Sequence, residues 1–363
     1  MKLLLITDAV GGVWTYSLDL ARALRPLGIE PVLAVLGPSP SPEQRQAADG
    51  IKLIDTGLPL DWLPTTPTDQ RRAGETLARL TTREGADLVQ TCSAALLADA
   101  HFDQPTVAVQ HSCTASWWAA VRGTPLPEEF AWRRDLVARG LANASALVAP
   151  SKSFASETNR LYAPPRMVRT VLNGRTPLPT QPASQAASVF TAGRLWDEGK
   201  NLATLDRAAA RLTIPFRAAG PTTGPNGAGV SLSNLDLLGQ LDEPAIAAQL
   251  AARPIFASAA LYEPFGLSVL EAAQAGCALV LSSISTFREL WSGAAILLDP
   301  RDDEAFTAAI KHLLDDPRER DRLGQAARQR SERYTIEATA THMAELYRQL
   351  LADQPALQLA GAA

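Results

Sequence analysis

The sequence predicts an α/β protein built from two parallel-sheet domains in tandem. Short apolar runs alternate with amphipathic helical stretches along most of the chain, and a Pro-, Ser-, Thr- and Gln-rich interruption breaks that alternation near the middle. The chain of 363 residues, 46% hydrophobic, is long enough to bury a core in each of two domains.

In the first half KLLLITD, PVLAVLG, IKLIDTG, ADLVQTC, PTVAVQH and ALVAPS read as buried strands, each a continuous apolar run bounded by turn residues. WTYSLDLARALRPLG and EEFAWRRDLVARGLANA read as helices between them. Strands separated by helices pair in parallel, with both faces of the sheet covered. After VRTVLNG, residues 175–188 (RTPLPTQPASQAAS) have no periodicity and read as an interdomain linker. The second half repeats the pattern with SVFTAGRL, PFRAAG, LDLLGQL, PIFASAA, CALVLSS and AAILLDP as strands and AIAAQLAAR as a helix. Long helices follow from about Glu304 to Gln349. The expected domains are 1–174 and 189–333, with a last helix at about 334–352 packing back on the first. Ligands of such sheets bind beyond the carboxyl ends of the strands.

A formal charge of −4 and the lack of a Lys/Arg run exclude a nucleic-acid backbone as the main partner. The N-terminal apolar run soon meets Asp8, so it reads as a strand and not as a signal peptide. No stretch approaches the roughly 18 apolar residues of a membrane span. Cys92, Cys113 and Cys277 lack metal or disulfide spacing, which predicts a reducing, cytoplasmic setting.

The stretch YEPFGLSVLEAAQAG, Tyr262 to Gly276, carries two carboxylates. Glu263 precedes a proline and so belongs to a loop in extended conformation. Glu271 falls in an Ala- and Leu-rich helix that starts near Gly266 and is closed by Gly276. Leu267, Val269, Leu270, Ala272 and Ala273 predict that this helix is buried, and a buried carboxylate needs protein donors or ligand hydroxyls. The alternative is a solvated surface glutamate.

Three further features carry chemistry. Gly11, Gly12 and Val13 join the first strand to its helix, where amides approach an anion or simply make a tight turn. The dinucleotide pattern Gly-x-Gly-x-x-Gly is missing. In GRLWDEGKN, Arg194 offers a planar fork and Lys200 a point charge, a pair suited to a diphosphate. His111 ends the strand PTVAVQH, as a structural hydrogen-bonder or as a site residue.

Together these residues resemble the family 4 glycosyltransferases (glycosyl transferases group 1), retaining enzymes of the GT-B architecture. That resemblance implies two Rossmann-like domains facing each other across a cleft, the first for the acceptor and the second for a nucleotide-sugar donor. The family's glutamate pattern, beginning E-x-F-G-L-x-x-x-E-A, runs here from Glu263 to Gly276. The resemblance gives Glu263 the hydroxyls of the donor sugar and Glu271 the ribose, with Pro264, Phe265, Gly266 and Leu267 lining the donor. It sets Gly11, Gly12 and Val13 at the donor phosphate, Arg194 and Lys200 on the diphosphate, Leu241 beside the base, and His111 near the reacting sugar. Lys200 stands six positions after Arg194 and is followed by Asn201 where the family usually has glycine.

No Asp-x-Asp pair occurs in the sequence, so neither a metal nor a cofactor is expected, and the donor implied is a UDP- or GDP-sugar. The acceptor, a sugar, glycan or small molecule, falls to variable segments around Pro59–Thr68 and Ser112–Pro127. There Trp117 and Trp118 either stack on a sugar ring or belong to the core. A lipid acceptor is not expected, although peripheral membrane contact stays open. Alternative activities are a sugar phosphorylase or nucleotide-sugar epimerase on the same fold, or a sugar-binding protein with a degenerate site.

Overall fold

The computed structural model describes residues 1–179, 181 and 183–360. Every apolar run named above forms a strand. The chain starts with β1 (Lys2–Asp8), α1 (Gly12–Leu24), β2 (Glu30–Leu36), α2 (Pro42–Ala47), β3 (Lys52–Asp55), α3 (Pro67–Glu84) and β4 (Leu88–Thr91). It continues with β5 (Thr106–Val109), α4 (Thr114–Val121), α5 (Ala131–Asn143), β6 (Ala146–Ala149), α6 (Lys152–Tyr162) and β7 (Val168–Thr170). The second half holds β8 (Val189–Ala192), α7 (Leu202–Ala209), β9 (Phe216–Ala219), β10 (Asp236–Gly239), α8 (Glu243–Ala251) and β11 (Ile255–Ser258). After these come α9 (Leu267–Gln274), β12 (Leu279–Ser282), α10 (Ser285–Trp291), β13 (Ile296–Leu298), α11 (Asp303–Asp315), α12 (Pro317–Ser331) and α13 (Ile336–Ala360).

The chain divides into two units, Met1–Gly174 with the residues from Ile336 onward, and Arg175–Thr335. The first unit holds a seven-stranded sheet in the order β3-β2-β1-β4-β5-β6-β7. The second holds a six-stranded sheet in the order β10-β9-β8-β11-β12-β13. The strands of both pair in parallel. These are two Rossmann-like sheets, each with a switch point where the chain reverses its direction of travel: between β1 and β4, and between β8 and β11. Crevices at the carboxyl ends of the strands open at such points, so topology already nominates the loops after β1, β8 and β11.

Leu4, Ile6, Val32, Ala34, Leu77 and Val89 form part of the first core. Val189, Phe216, Ile255, Val280, Phe306 and Ile310 form part of the second. Each of these side chains larger than alanine contributes about 1.5–3 kcal/mol by leaving water. Helix α13 is tied into the first unit: Arg348 donates to Leu27 O at 2.8 Å, Thr339 to Leu172 O at 2.8 Å, and the Tyr347 phenol to Gln90.

LDLLGQL, expected as a strand, forms β10 at an edge of the second sheet, with Leu237 45% exposed, because nothing pairs with its outer side among the described residues. VRT, inside VRTVLNG, adds the short edge strand β7. Within the expected linker at residues 175–188, Thr180 and Pro182 lie outside the described residues, but others in the stretch are laced onto the second unit. Arg175 N–H donates to Tyr334 O at 3.3 Å and Ala186 N–H to Ala252 O at 2.8 Å, while Arg320 donates to Ala186 O at 2.7 Å. Lack of periodicity here marks irregular backbone, not backbone without hydrogen-bond partners.

Candidate active site

In the second unit the loops after β8 and β11 are neighbours because those strands are adjacent. Gly199 O accepts from Leu261 N–H at 2.9 Å and Tyr262 N–H at 3.2 Å. The Asn201 side chain donates to Ala259 O at 2.9 Å and Pro300 O at 2.6 Å. Asn201 also has φ +55°, the left-handed conformation that glycine adopts freely and asparagine tolerates. The departure from glycine therefore keeps the backbone shape and adds two hydrogen bonds.

This lacing brings Lys200 Nζ onto the carboxylate of Glu263, an ion pair between side chains 21% and 15% exposed. Beside it Arg194 Nη2 donates to Asp197 Oδ2 at 2.8 Å, and its guanidinium lies 5.6 Å from the centre of the Trp196 ring. The other Asp197 oxygen accepts from Gly199 N–H at 2.9 Å, so one buried carboxylate shapes the loop and orients the arginine.

Gly266, at φ +97°, is the N-cap of α9. A Cβ there would lie 3.1 Å from Phe287 and 3.3 Å from Glu263 Cγ, so the glycine leaves room for the glutamate as well as the turn. Phe265 packs edge-on to Tyr334, ring centres 5.8 Å apart, and Tyr334 packs against Trp291 at 5.6 Å. Val269, Leu270, Ala272 and Ala273 bury one face of α9. Glu271, 15% exposed, meets Arg175 Nε at 2.7 Å, and Arg175 Nη2 lies 2.6 Å from Glu243. Leu241, part-buried, lies between β10 and α8, with Glu243 opening that helix. Sequence reasoning misses Arg175 and Asp197. The first is hidden in the supposed linker, and nothing in the sequence pairs the second with Arg194.

In the first unit Asp8 ends β1 and accepts from Val10 N–H at 2.7 Å. Gly11, at φ +79°, is the N-cap of α1, and Gly12 and Val13 begin the helix. His111 follows β5, and Tyr16 of α1 packs edge-on against it with ring centres 4.5 Å apart. The fold thus brings the glycine-loop helix to His111. Burial pushes the His111 pKa down to about 4, which makes the ring neutral near pH 7. Its Nε2 is buried without a hydrogen-bond partner among the described residues.

Within the Pro59–Thr68 segment, desolvation raises the pKa of the Asp61 carboxyl. Arg133 of α5 ties that segment down, donating to Leu63 O at 2.9 Å and to Asp61 O. Trp117 and Trp118 are half-buried and outside the core, and Arg122 lies 5.6 and 5.7 Å from their ring centres. Among the described residues no group of three His, Cys, Asp or Glu side chains is placed to hold a metal, and no helix is long and apolar enough to cross a membrane.

Comparison with known proteins matches both halves. The family model described as Glycosyltransferase Family 4 matches residues 10–176, and that described as Glycosyl transferases group 1 matches residues 231–330. A glycogen synthase of Mycobacterium tuberculosis is 40% identical over 89 residues, 24% of this chain and 22% of that protein's length. Among solved structures, the sucrose-phosphate synthase of Thermosynechococcus elongatus superposes with TM-score 0.77 at 20% identity, covering 97% of this chain and 99% of the other. Anabaena HepE, solved in complex with UDP-glucose, superposes with TM-score 0.73 at 18% identity, covering 96% and 100%. One model spans the glycine loop and His111, the other spans Leu241, Glu263 and Glu271, and the chain belongs to the GT-B glycosyltransferases that these families describe.

Proposed function

We propose that the chain is a retaining, metal-independent glycosyltransferase that moves a sugar from a nucleotide-diphosphate sugar to an acceptor hydroxyl. The observation that supports this reading is the pairing of Lys200 with Glu263 across the adjacent loops after β8 and β11, with Arg194 on the first of those loops and Glu271 on the helix that follows the second. Two cations suit a diphosphate, and two carboxylates suit hydroxyl groups.

When the bond from the anomeric carbon to the phosphate oxygen breaks, its electron pair goes to the diphosphate and positive charge develops on the sugar. Donors fixed where that negative charge appears supply the largest catalytic contribution. Arg194, Lys200 and the backbone N–H groups at residues 265–267 are assigned this role, with the Gly11–Gly12 loop assisting. Glu263 accepts from the sugar hydroxyls and Glu271 from the ribose. His111, neutral, offers Nε2 to a sugar hydroxyl. Retention follows if the acceptor hydroxyl attacks on the face the diphosphate leaves and passes its proton to that phosphate.

UDP-glucose, the compound held by the HepE complex, and GDP-mannose are the first donors to test. A donor present at 100 times its dissociation constant stabilises the protein by about 2.7 kcal/mol, which a thermal-shift screen detects. The stabilising donor is then incubated with candidate acceptors in excess chelator. Release of nucleoside diphosphate with a new glycoside of the donor's anomeric configuration supports the reading. A requirement for inorganic phosphate indicates a phosphorylase, and a changed sugar still attached to its nucleotide indicates an epimerase. Stabilisation without turnover, even hydrolytic, indicates a binding protein.

A further inference from the structure

We propose that Arg175 is a positioning residue for the nucleotide, holding the Glu271 carboxylate towards the ribose hydroxyls and offsetting the charge of two neighbouring acids. The inference rests on the ribose reading of Glu271.

The side chain of Arg175 is 4% exposed, and the residue is gripped from several directions. Its N–H donates to Tyr334 O at 3.3 Å, and its carbonyl accepts from Gln274 Nε2 at 2.9 Å. Its guanidinium meets Glu271 at 2.7 Å and Glu243 at 2.6 Å. Glu271 and Gln274 are one turn apart on α9, so backbone and side chain of Arg175 clasp the same turn of that helix. A planar fork held at its backbone fixes the direction of its carboxylate partner in a way that a flexible lysine does not.

The second partner gives the contact its reach. Glu243 is 62% exposed, opens α8 and follows Leu241, which the nucleobase reading assigns to the base. Arg175 therefore joins the ribose-side helix to the helix beside the base. With it, the three side chains carry a net charge of −1; without it, two carboxylates carry −2 near a site meant for a diphosphate. A merely structural ion pair would affect stability but not the ability to sense a ribose hydroxyl.

The test uses the full chain and whichever of UDP and GDP stabilises it more, paired with its 2′-deoxy and 3′-deoxy counterparts, with dissociation constants measured by calorimetry. A hydrogen bond to a charged group predicts that wild type prefers the ribonucleotide over at least one deoxy form by about tenfold or more. In Arg175→Met that preference should fall towards one, with nucleotide affinity lowered about tenfold. Glu271→Gln should show the same collapse, and Arg175→Met added to it should cause no further loss of discrimination. Arg175→Lys, which keeps the charge, should fold and retain part of the preference, so the positioning role stays testable if Arg175→Met does not fold. Discrimination unchanged in the Arg175 variants, with only the melting temperature lowered, would overturn that role. Tighter nucleotide binding by Arg175→Met would also overturn it, because the pair would then be masking Glu271. Equal binding of ribose and both deoxy forms by wild type would remove the ribose reading itself, a failure visible before any substitution is made.

Discussion

Replacing His111 by phenylalanine should remove a defined part of the acid sensitivity of the first unit. Burial lowers the histidine pKa from 6.5 to about 4. Above the unfolded value both states are neutral, and the stability tied to the buried ring is fully present. As pH falls through that value the unfolded chain takes up a proton that the folded ring refuses, so stability declines until pH passes the folded value. At about 1.4 kcal/mol per pKa unit, a difference of roughly 2.5 units is worth about 3 kcal/mol. Urea unfolding followed by tryptophan fluorescence reports mainly on the first unit, because Trp14, Trp62, Trp117, Trp118 and Trp132 lie there and only Trp196 and Trp291 in the second. Between about pH 7 and pH 4 wild type should lose about 3 kcal/mol more than His111→Phe. Carboxylates elsewhere titrate in both proteins and cancel, as does a constant offset from altered packing against Tyr16. Parallel stability curves would show that His111 titrates normally in the folded state. The ring would then be neutral near pH 7 as any histidine is, and burial would not keep it so below about pH 6.5.

Arg194→Ala should lower turnover by about 10²–10³, as loss of a donor to developing charge does elsewhere, and by more than Lys200→Ala; full turnover in the folded variant would refute the leaving-group role. Glu263→Gln should act mainly on kcat and Glu271→Gln mainly on KM, since the ribose is held alike in ground and transition states; steady-state kinetics with the opposite split would reverse the two assignments. Activity should survive excess chelator, and its loss with recovery on adding magnesium or manganese would overturn the cation-only view of the diphosphate. Gly266→Ala should cost about 1–3 kcal/mol by thermal unfolding because of its positive φ, and should also reduce turnover through Glu263; an active, fully stable variant would show that the turn relaxes.

The strands were legible because a parallel strand buried on both faces is a continuous apolar run, as β1 and β12 are. Apolar composition does not reveal, however, that β10 lies at an edge of its sheet. Glu263 and Glu271 could be placed on a loop and a helix because Pro264, Gly266 and Gly276 punctuate the local backbone. What the sequence did not show was which charges meet. Lys200 meets Glu263 because the chain returns from β9 and β10 to set β11 against β8, a topological outcome written in no local motif. Arg175 was missed because a stretch without periodicity carries no signal of what its side chains reach.

Those pairings bear on how a donor is recognised under the proposed reading. Arg194 is held by Asp197, a carboxylate committed to its own loop through Gly199 N–H, so this arginine can turn towards phosphate without leaving its partner stranded. Lys200 and Glu263 differ, because each is the other's ionic partner in a part-buried setting. Drawing Lys200 to a diphosphate strips Glu263 of its counter-charge, and a part-buried carboxylate left without donors costs about 1–3 kcal/mol or more. Sugar hydroxyls beside the diphosphate supply those donors in the same event. A nucleoside diphosphate alone satisfies only the lysine, and a free sugar satisfies only the glutamate. A molecule carrying both groups replaces both halves of the ion pair at once, so the pair selects for the intact nucleotide sugar over its hydrolysed parts.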